Sequence, residues 1–135
     1  MHISFESGVL EDPLHPPIDD MYLMTTNPNL WPNEAEEIKI TFAKGLPQVV
    51  ENLSTKVKVE DSVEILKYLN KLGGKHGIGR IDIVEDRYIG MKSRGVYETP
   101  GGTILWTAIR DLELLCLDRE VNKIRAKLAQ EFAEK

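Results

Sequence analysis

Cysteine is nearly absent from this sequence: Cys116 stands alone in 135 residues, so no disulfide can form within the chain. It lies in Leu114-Leu115-Cys116-Leu117, with no nearby His or basic residue to favour a thiolate, and reads as a buried small hydrophobe rather than a nucleophile. Histidine is scarce too. His2, His15 and His76 are far apart and no His or Cys pair has metal-ligand spacing, so no metal site is expected. No apolar run approaches the roughly 18 residues of a membrane span. Met1-His2-Ile3-Ser4-Phe5-Glu6 lacks the basic-then-apolar pattern of a secretion signal, and a cytoplasmic protein without a membrane partner is expected. The 17 basic residues are outnumbered by 22 acidic ones, for a net charge of -5, and no Lys/Arg cluster is interleaved with aromatics. Nucleic acid is therefore not an expected partner.

What is present suffices for one domain with an ordinary core, since 41% of the residues are hydrophobic. Ile3 to Leu10 opens with apolar and polar residues in alternation, predicting a strand that Gly8 bulges or turns. Pro13, Pro16, Pro17, Pro28 and Pro32 then exclude a continuous helix and predict a long loop over 12–34. A loop of that length either wraps a neighbouring surface or is mobile, and Met21, Tyr22, Leu23, Met24, Leu30 and Trp31 favour wrapping. Alternation at Ile38, Ile40 and Phe42, and again at Val57 and Val59, predicts an antiparallel meander through 37–60. Asp61 is a good N-cap with Glu64 at the third helical position, and Gly73-Gly74 is expected to end that helix. Arg80 to Glu85 alternates as a strand whose far end delivers Glu85, Asp86 and Arg87 to a surface or cleft. After an expected turn at Thr99-Pro100-Gly101-Gly102, two amphipathic helices follow, one through Ile104 to Leu115 and one through Val121 to Phe132. The fold class is α+β, a mostly antiparallel sheet with helices packed against it.

The glycine-rich run Gly73 to Arg80 offers backbone donors of the kind that cradle phosphate, but it follows a helix and leads into a strand, the reverse of a P-loop. It reads as a tight connection. Arg119, Lys123, Arg125 and Lys127 read as the solvated face of the last helix. Residue types alone leave Glu85, Asp86 and Arg87 open, as a plain polar strand end or as a site.

Two stretches are more specific. Gly74-Lys75-His76-Gly77-Ile78-Gly79-Arg80-Ile81-Asp82-Ile83-Val84-Glu85 and Gly90-Met91-Lys92-Ser93-Arg94-Gly95-Val96-Tyr97-Glu98-Thr99-Pro100-Gly101-Gly102-Thr103 closely resemble the argininosuccinate synthase family. Met1 to Glu11 resembles the strand that opens that family's synthetase domain, and Leu117-Asp118-Arg119-Glu120-Val121 its later helix. The resemblance spans essentially the whole chain and implies that residues 1–135 are a partial synthetase domain. The family adenylates the citrulline ureido oxygen with ATP and Mg²⁺, and aspartate then displaces AMP. Such adenylation is mostly orientation and charge stabilisation.

By the resemblance, Ser4, Glu85 and Tyr97 fall on citrulline-binding positions; Glu6 and Glu98 lie nearby but are given no ligand role. Glu85 is suited to a substrate ammonium, and the Ser4 and Tyr97 hydroxyls to polar groups. On residue type alone, Ser4 as an outward hydroxyl and Tyr97 as a core ring with a wet tip remain open readings. The family's Ser-Gly-Gly-Leu-Asp phosphate motif occurs nowhere in the sequence. The expectation is therefore that ATP, Mg²⁺ and most aspartate contacts belong to an absent amino-terminal domain, with no catalytic or cofactor-binding residue here. The tetramer-building carboxy-terminal arm is likewise expected to lie outside this chain, which alone should be inactive. Rival expectations are a scaffold or oligomerisation module with no ligand binding of its own, and a missing half supplied as a separate polypeptide.

Overall fold

A computed structural model describes residues 2–12 and 14–135. The chain divides into two compact units, Met1–Ile104 and Leu105–Lys135. The first holds two three-stranded antiparallel sheets, ordered β1-β6-β5 and β2-β3-β4. The strands are β1 Ile3–Phe5, β2 Ile38–Ala43, β3 Leu46–Asn52, β4 Lys58–Val59, β5 Arg80–Asp86 and β6 Lys92–Glu98. With helices α1 Ser62–Lys75, α2 Pro100–Cys116 and α3 Arg119–Ala133, the class is α+β.

The meander follows its alternation. β2 and β3 are joined by Lys44 and Gly45, both with positive φ of 52° and 78°, as the two-residue hairpin turn that matches strand twist requires. The opening strand is shorter than predicted: β1 stops at Phe5, and Gly8–Glu11 is a 3-10 turn that Gly8 enters with φ 64°. β6, which periodicity did not anticipate, is the centre of its sheet. Ser4 stands opposite Tyr97 on one side, and Ile81 opposite Tyr97 and Glu85 opposite Ser93 on the other.

Asp61 caps α1, accepting from the Val63 and Glu64 amides at 3.0 Å each. The helix does not end at Gly73-Gly74 but runs through both to Lys75. These glycines serve close packing. A Cβ on Gly73 would lie 2.9 Å from Pro100 Cβ, and one on Gly74 would overlap the Met24 carbonyl. Thr99-Pro100-Gly101-Gly102, expected as a turn, instead leads into α2, with Pro100 at the first helical position, where its missing N–H leaves no bond unmade. The Gly101 amide donates to Asn70 Oδ1 at 2.9 Å, and a Cβ there would stand 2.9 Å from that oxygen.

The proline-rich segment wraps one face of β1-β6-β5. Leu10, Met21 and Val96 form a buried cluster on that face, with Phe5 and Tyr22 against it. Leu23 and Leu30, expected among the wrapping residues, point outward at 72% and 73% exposure. Polar side chains of the sheet fix the segment's backbone. Glu98, 1% exposed, accepts from the amides of Leu23 (2.7 Å), Met24 (3.0 Å) and Thr25 (2.8 Å). Arg80 donates to the carbonyls of Thr25 (2.9 Å) and Thr26 (3.0 Å) and stacks 3.9 Å from the Tyr22 ring centre. Arg94 donates to the His15 carbonyl at 2.9 Å while holding Asp82.

In the second unit Asp118 caps α3 through the Glu120 and Val121 amides. Glu113 accepts from Arg110 and Arg125, so Arg125 is in an ion pair rather than simply solvated. Cys116, expected to be buried, is exposed. Leu114 and Leu115 beside it are 63% and 82% exposed, so this end of α2 presents its apolar side chains outward. Among the described residues no helix is long and apolar enough to cross a membrane.

Candidate functional site

Successive side chains on a strand alternate between faces, and directly opposed residues of an antiparallel pair share one. The register therefore puts Ser4, Tyr97, Ile81, Ile83, Glu85 and Ser93 on the face of β1-β6-β5 turned away from the proline-rich segment. Ser4, Glu85 and Tyr97, far apart in sequence, thus come from three adjacent strands to one surface. The Tyr97 hydroxyl donates to Glu85 Oε1. Its ring reaches that carboxylate by leaning over Gly95, where a Cβ would lie 3.0 Å from Tyr97 Cε2 and 3.2 Å from its hydroxyl. Ser4 is exposed, and Glu85 and Tyr97 are half-buried.

Three further residues complete the cluster. Glu6, two positions beyond Ser4, brings Oε1 to 3.3 Å from the Tyr97 hydroxyl. Its other oxygen is held by Arg87, which also donates to Ser93 Oγ at 3.2 Å. The sequence signal for Glu6 and Arg87 was period two, since each follows a candidate residue, Ser4 or Glu85, by two positions. Asp86 belongs to the other face and pairs with Lys92 at 2.5 Å.

The electrostatics follow from these bonds. The Arg87 hydrogen bond holds the Glu6 carboxyl below its ordinary value, against a smaller upward push from desolvation. Bonding to Glu85, then desolvation and the Glu6 charge, push the Tyr97 phenol up to about 12, so it stays a donor throughout the physiological range. Arg87 offsets the charge of Glu6. Among the described residues Glu85 is in no ion pair, although its charge and that of Glu6 both act on the Arg87 guanidinium.

The glycine run does not form a nucleotide cradle. Gly77, with φ 65°, is covered by the Trp31 indole, and Gly79, with φ 85°, packs on the Thr99 carbonyl. Among the described residues no group of three or more His, Cys, Asp or Glu side chains is arranged to hold a metal ion.

The family model for the arginosuccinate synthase C-terminal domain matches residues 1–135. The chain belongs to the argininosuccinate synthase family. It is 53% identical to the argininosuccinate synthase of Danio rerio over 134 residues, which is 99% of this chain and 32% of that protein. The Thermotoga maritima argininosuccinate synthase is 51% identical, over 99% of this chain and 33% of its own length. The chain spans about a third of the length of these relatives.

Proposed function

We propose that this chain supplies part of the citrulline-binding surface of an ATP-dependent ligase that joins citrulline to aspartate, giving argininosuccinate, AMP and pyrophosphate. The observation that carries the reading is the convergence of Ser4, Tyr97 and Glu85 on one open sheet face, with the Tyr97 phenol seated on the Glu85 carboxylate. In this reading the Glu85 carboxylate neutralises the substrate's ammonium, Tyr97 orients that carboxylate, and Ser4 bonds a polar group of the substrate. None acts as a general base. ATP, Mg²⁺ and aspartate are held by family segments outside these residues, in a cytoplasmic tetramer, and the chain alone forms no argininosuccinate. Calorimetric titration of the chain with citrulline tests the reading, with saturable one-to-one binding expected. Citrulline-dependent pyrophosphate release by the pure chain would contradict its inactivity.

A second reading, a scaffold or oligomerisation module without ligand binding of its own, is favoured by the outward Val121, Ile124, Leu128 and Phe132 of α3, which are 46%, 60%, 57% and 82% exposed. Self-association in sedimentation together with no citrulline heat would select it.

A further inference from the structure

Glu6 and Glu85 both lie within reach of one phenol, yet Tyr97 has a single proton to donate. Its bond to Glu85 is the shorter, and that to Glu6 Oε1 is the longer and weaker at 3.3 Å. What separates the two carboxylates is Arg87, whose guanidinium bonds Glu6 Oε2 and Ser93 Oγ. Among the described residues it is the cation paired with Glu6, and it directly follows the strand that carries Glu85. Arg87 thus spans from β5 over Ser93 of β6 to the residue that follows β1. Gly95, beneath the ring, leaves Tyr97 free to lean towards either acceptor, since it puts no Cβ in the way.

We infer that Arg87 is a positioning residue: by holding Glu6 it keeps that carboxylate the weaker acceptor of the Tyr97 phenol, so that the phenol stays with Glu85 and one ordered carboxylate is presented to the ligand's cationic group. The inference rests on the citrulline reading for the ligand but not for the geometry. Freed of Arg87, Glu6 becomes a second, uncompensated acceptor beside the same hydroxyl, and Tyr97 divides between the two. Charge-assisted bonds depend steeply on such geometry, because a misaligned donor loses most of its strength.

A pair that merely straps β1 to the sheet and a pair that restrains Glu6 differ in what the double variant does. Wild type, Arg87→Gln, Glu6→Gln and Glu6→Gln/Arg87→Gln, each as the 135-residue chain with ¹³Cζ-labelled tyrosine, are compared by NMR and by citrulline calorimetry. The Tyr97 resonance is assigned by its loss in Tyr97→Phe. Arg87→Gln should move that resonance and weaken citrulline binding about 10-fold. The double variant, with no competing carboxylate, should return the resonance to its wild-type position and recover most of the affinity. A double variant that stays with Arg87→Gln reduces the pair to a strap and overturns the inference. Where Arg87→Gln fails to fold, Arg87→Lys keeps a charge on Glu6 and should leave the Tyr97 resonance in place; a shift there overturns the inference too. If no chain binds citrulline while the resonance moves and recovers as stated, the positioning role stands and the citrulline reading fails.

Discussion

The two faces of β1-β6-β5 use the same side chain to opposite ends. Glu98, on the face under the proline-rich segment, is 1% exposed and accepts three backbone amides and the Thr25 hydroxyl. Its acceptor positions are filled, and they order a segment that among its described residues has only two short 3-10 turns, Asp19–Met21 and Pro28–Leu30, of its own. Glu85, only thirteen residues earlier in sequence and on the opposite face, has the Tyr97 phenol as its donor. Both carboxylates come from ends of paired strands. What separates the structural fastener from the proposed binding group is therefore the number of donors around it and whether water still reaches it.

The strongest way to break this contrast is to remove Glu98. Glu98→Ala leaves the Leu23, Met24 and Thr25 amides without their acceptor, and each buried unsatisfied donor costs about 1–3 kcal/mol. A loss on the order of 3 kcal/mol or more is expected in urea unfolding, together with enhanced amide exchange over residues 19–27. A loss under about 1 kcal/mol would mean that the segment is held by its apolar contacts at Met21 and Tyr22 instead. Glu85→Gln should do the reverse. It keeps the shape, stability should change by less than about 1 kcal/mol, and citrulline affinity should fall about 10- to 150-fold, as loss of a charge-assisted bond predicts. Unchanged citrulline binding in a folded Glu85→Gln chain would remove Glu85 from the site.

Which parts of this arrangement were legible in the sequence follows from how much each residue reports on itself. β5 announced itself because Ile81 and Ile83 alternate with Arg80 and Asp82. β6 did not, because Lys92-Ser93-Arg94-Gly95 has polar or small residues at both parities, one set meeting the proline-rich segment's polar anchors and the other facing the open cluster. Gly73-Gly74 and Gly101-Gly102 read as breaks because glycine usually frees the backbone. Here at least Gly73, Gly74 and Gly101 instead remove a Cβ where another segment's atoms come within van der Waals contact, a demand set by tertiary packing alone. Cys116 misled in the opposite direction, since an apolar neighbourhood in sequence says nothing of whether a second layer covers it. Ser4, Glu85 and Tyr97 were named by family resemblance, and their shared face needed the β1-β6-β5 order, which no local pattern contains.

A finer test leaves both carboxylates in place and alters the floor beneath the phenol. In Gly95→Ala the new Cβ would stand 3.0 Å from Tyr97 Cε2 and 3.3 Å from Glu6 Cγ, close enough that the ring must shift by a few tenths of an ångström. No positive φ is involved at this position, so backbone strain is not part of the effect. Citrulline affinity should drop by about 3- to 10-fold, with a stability change within about 1 kcal/mol. If affinity is unaffected, the lean of Tyr97 over Gly95 does not matter to the ligand.

The smallest expected effect is at Asp86, one residue from Glu85 and on the other face. Its carboxylate pairs with Lys92 at 2.5 Å, with both side chains more than half exposed at 63% and 69%. Such surface pairs contribute about 0–1 kcal/mol because water screens them and two long side chains lose freedom in forming them. Asp86→Asn should therefore shift stability by no more than about 1 kcal/mol and leave the citrulline titration superimposable on wild type. The comparison with Glu85→Gln is decisive because the two substitutions remove the same charge within one strand residue of each other, so any long-range field effect on a cationic ligand is nearly equal in both. Only the side on which the carboxylate emerges differs. Equal losses of citrulline affinity in the two variants would show that the ligand responds to the net charge of the strand end rather than to a bond with Glu85. The division of this sheet into a structural and a binding face would then fail.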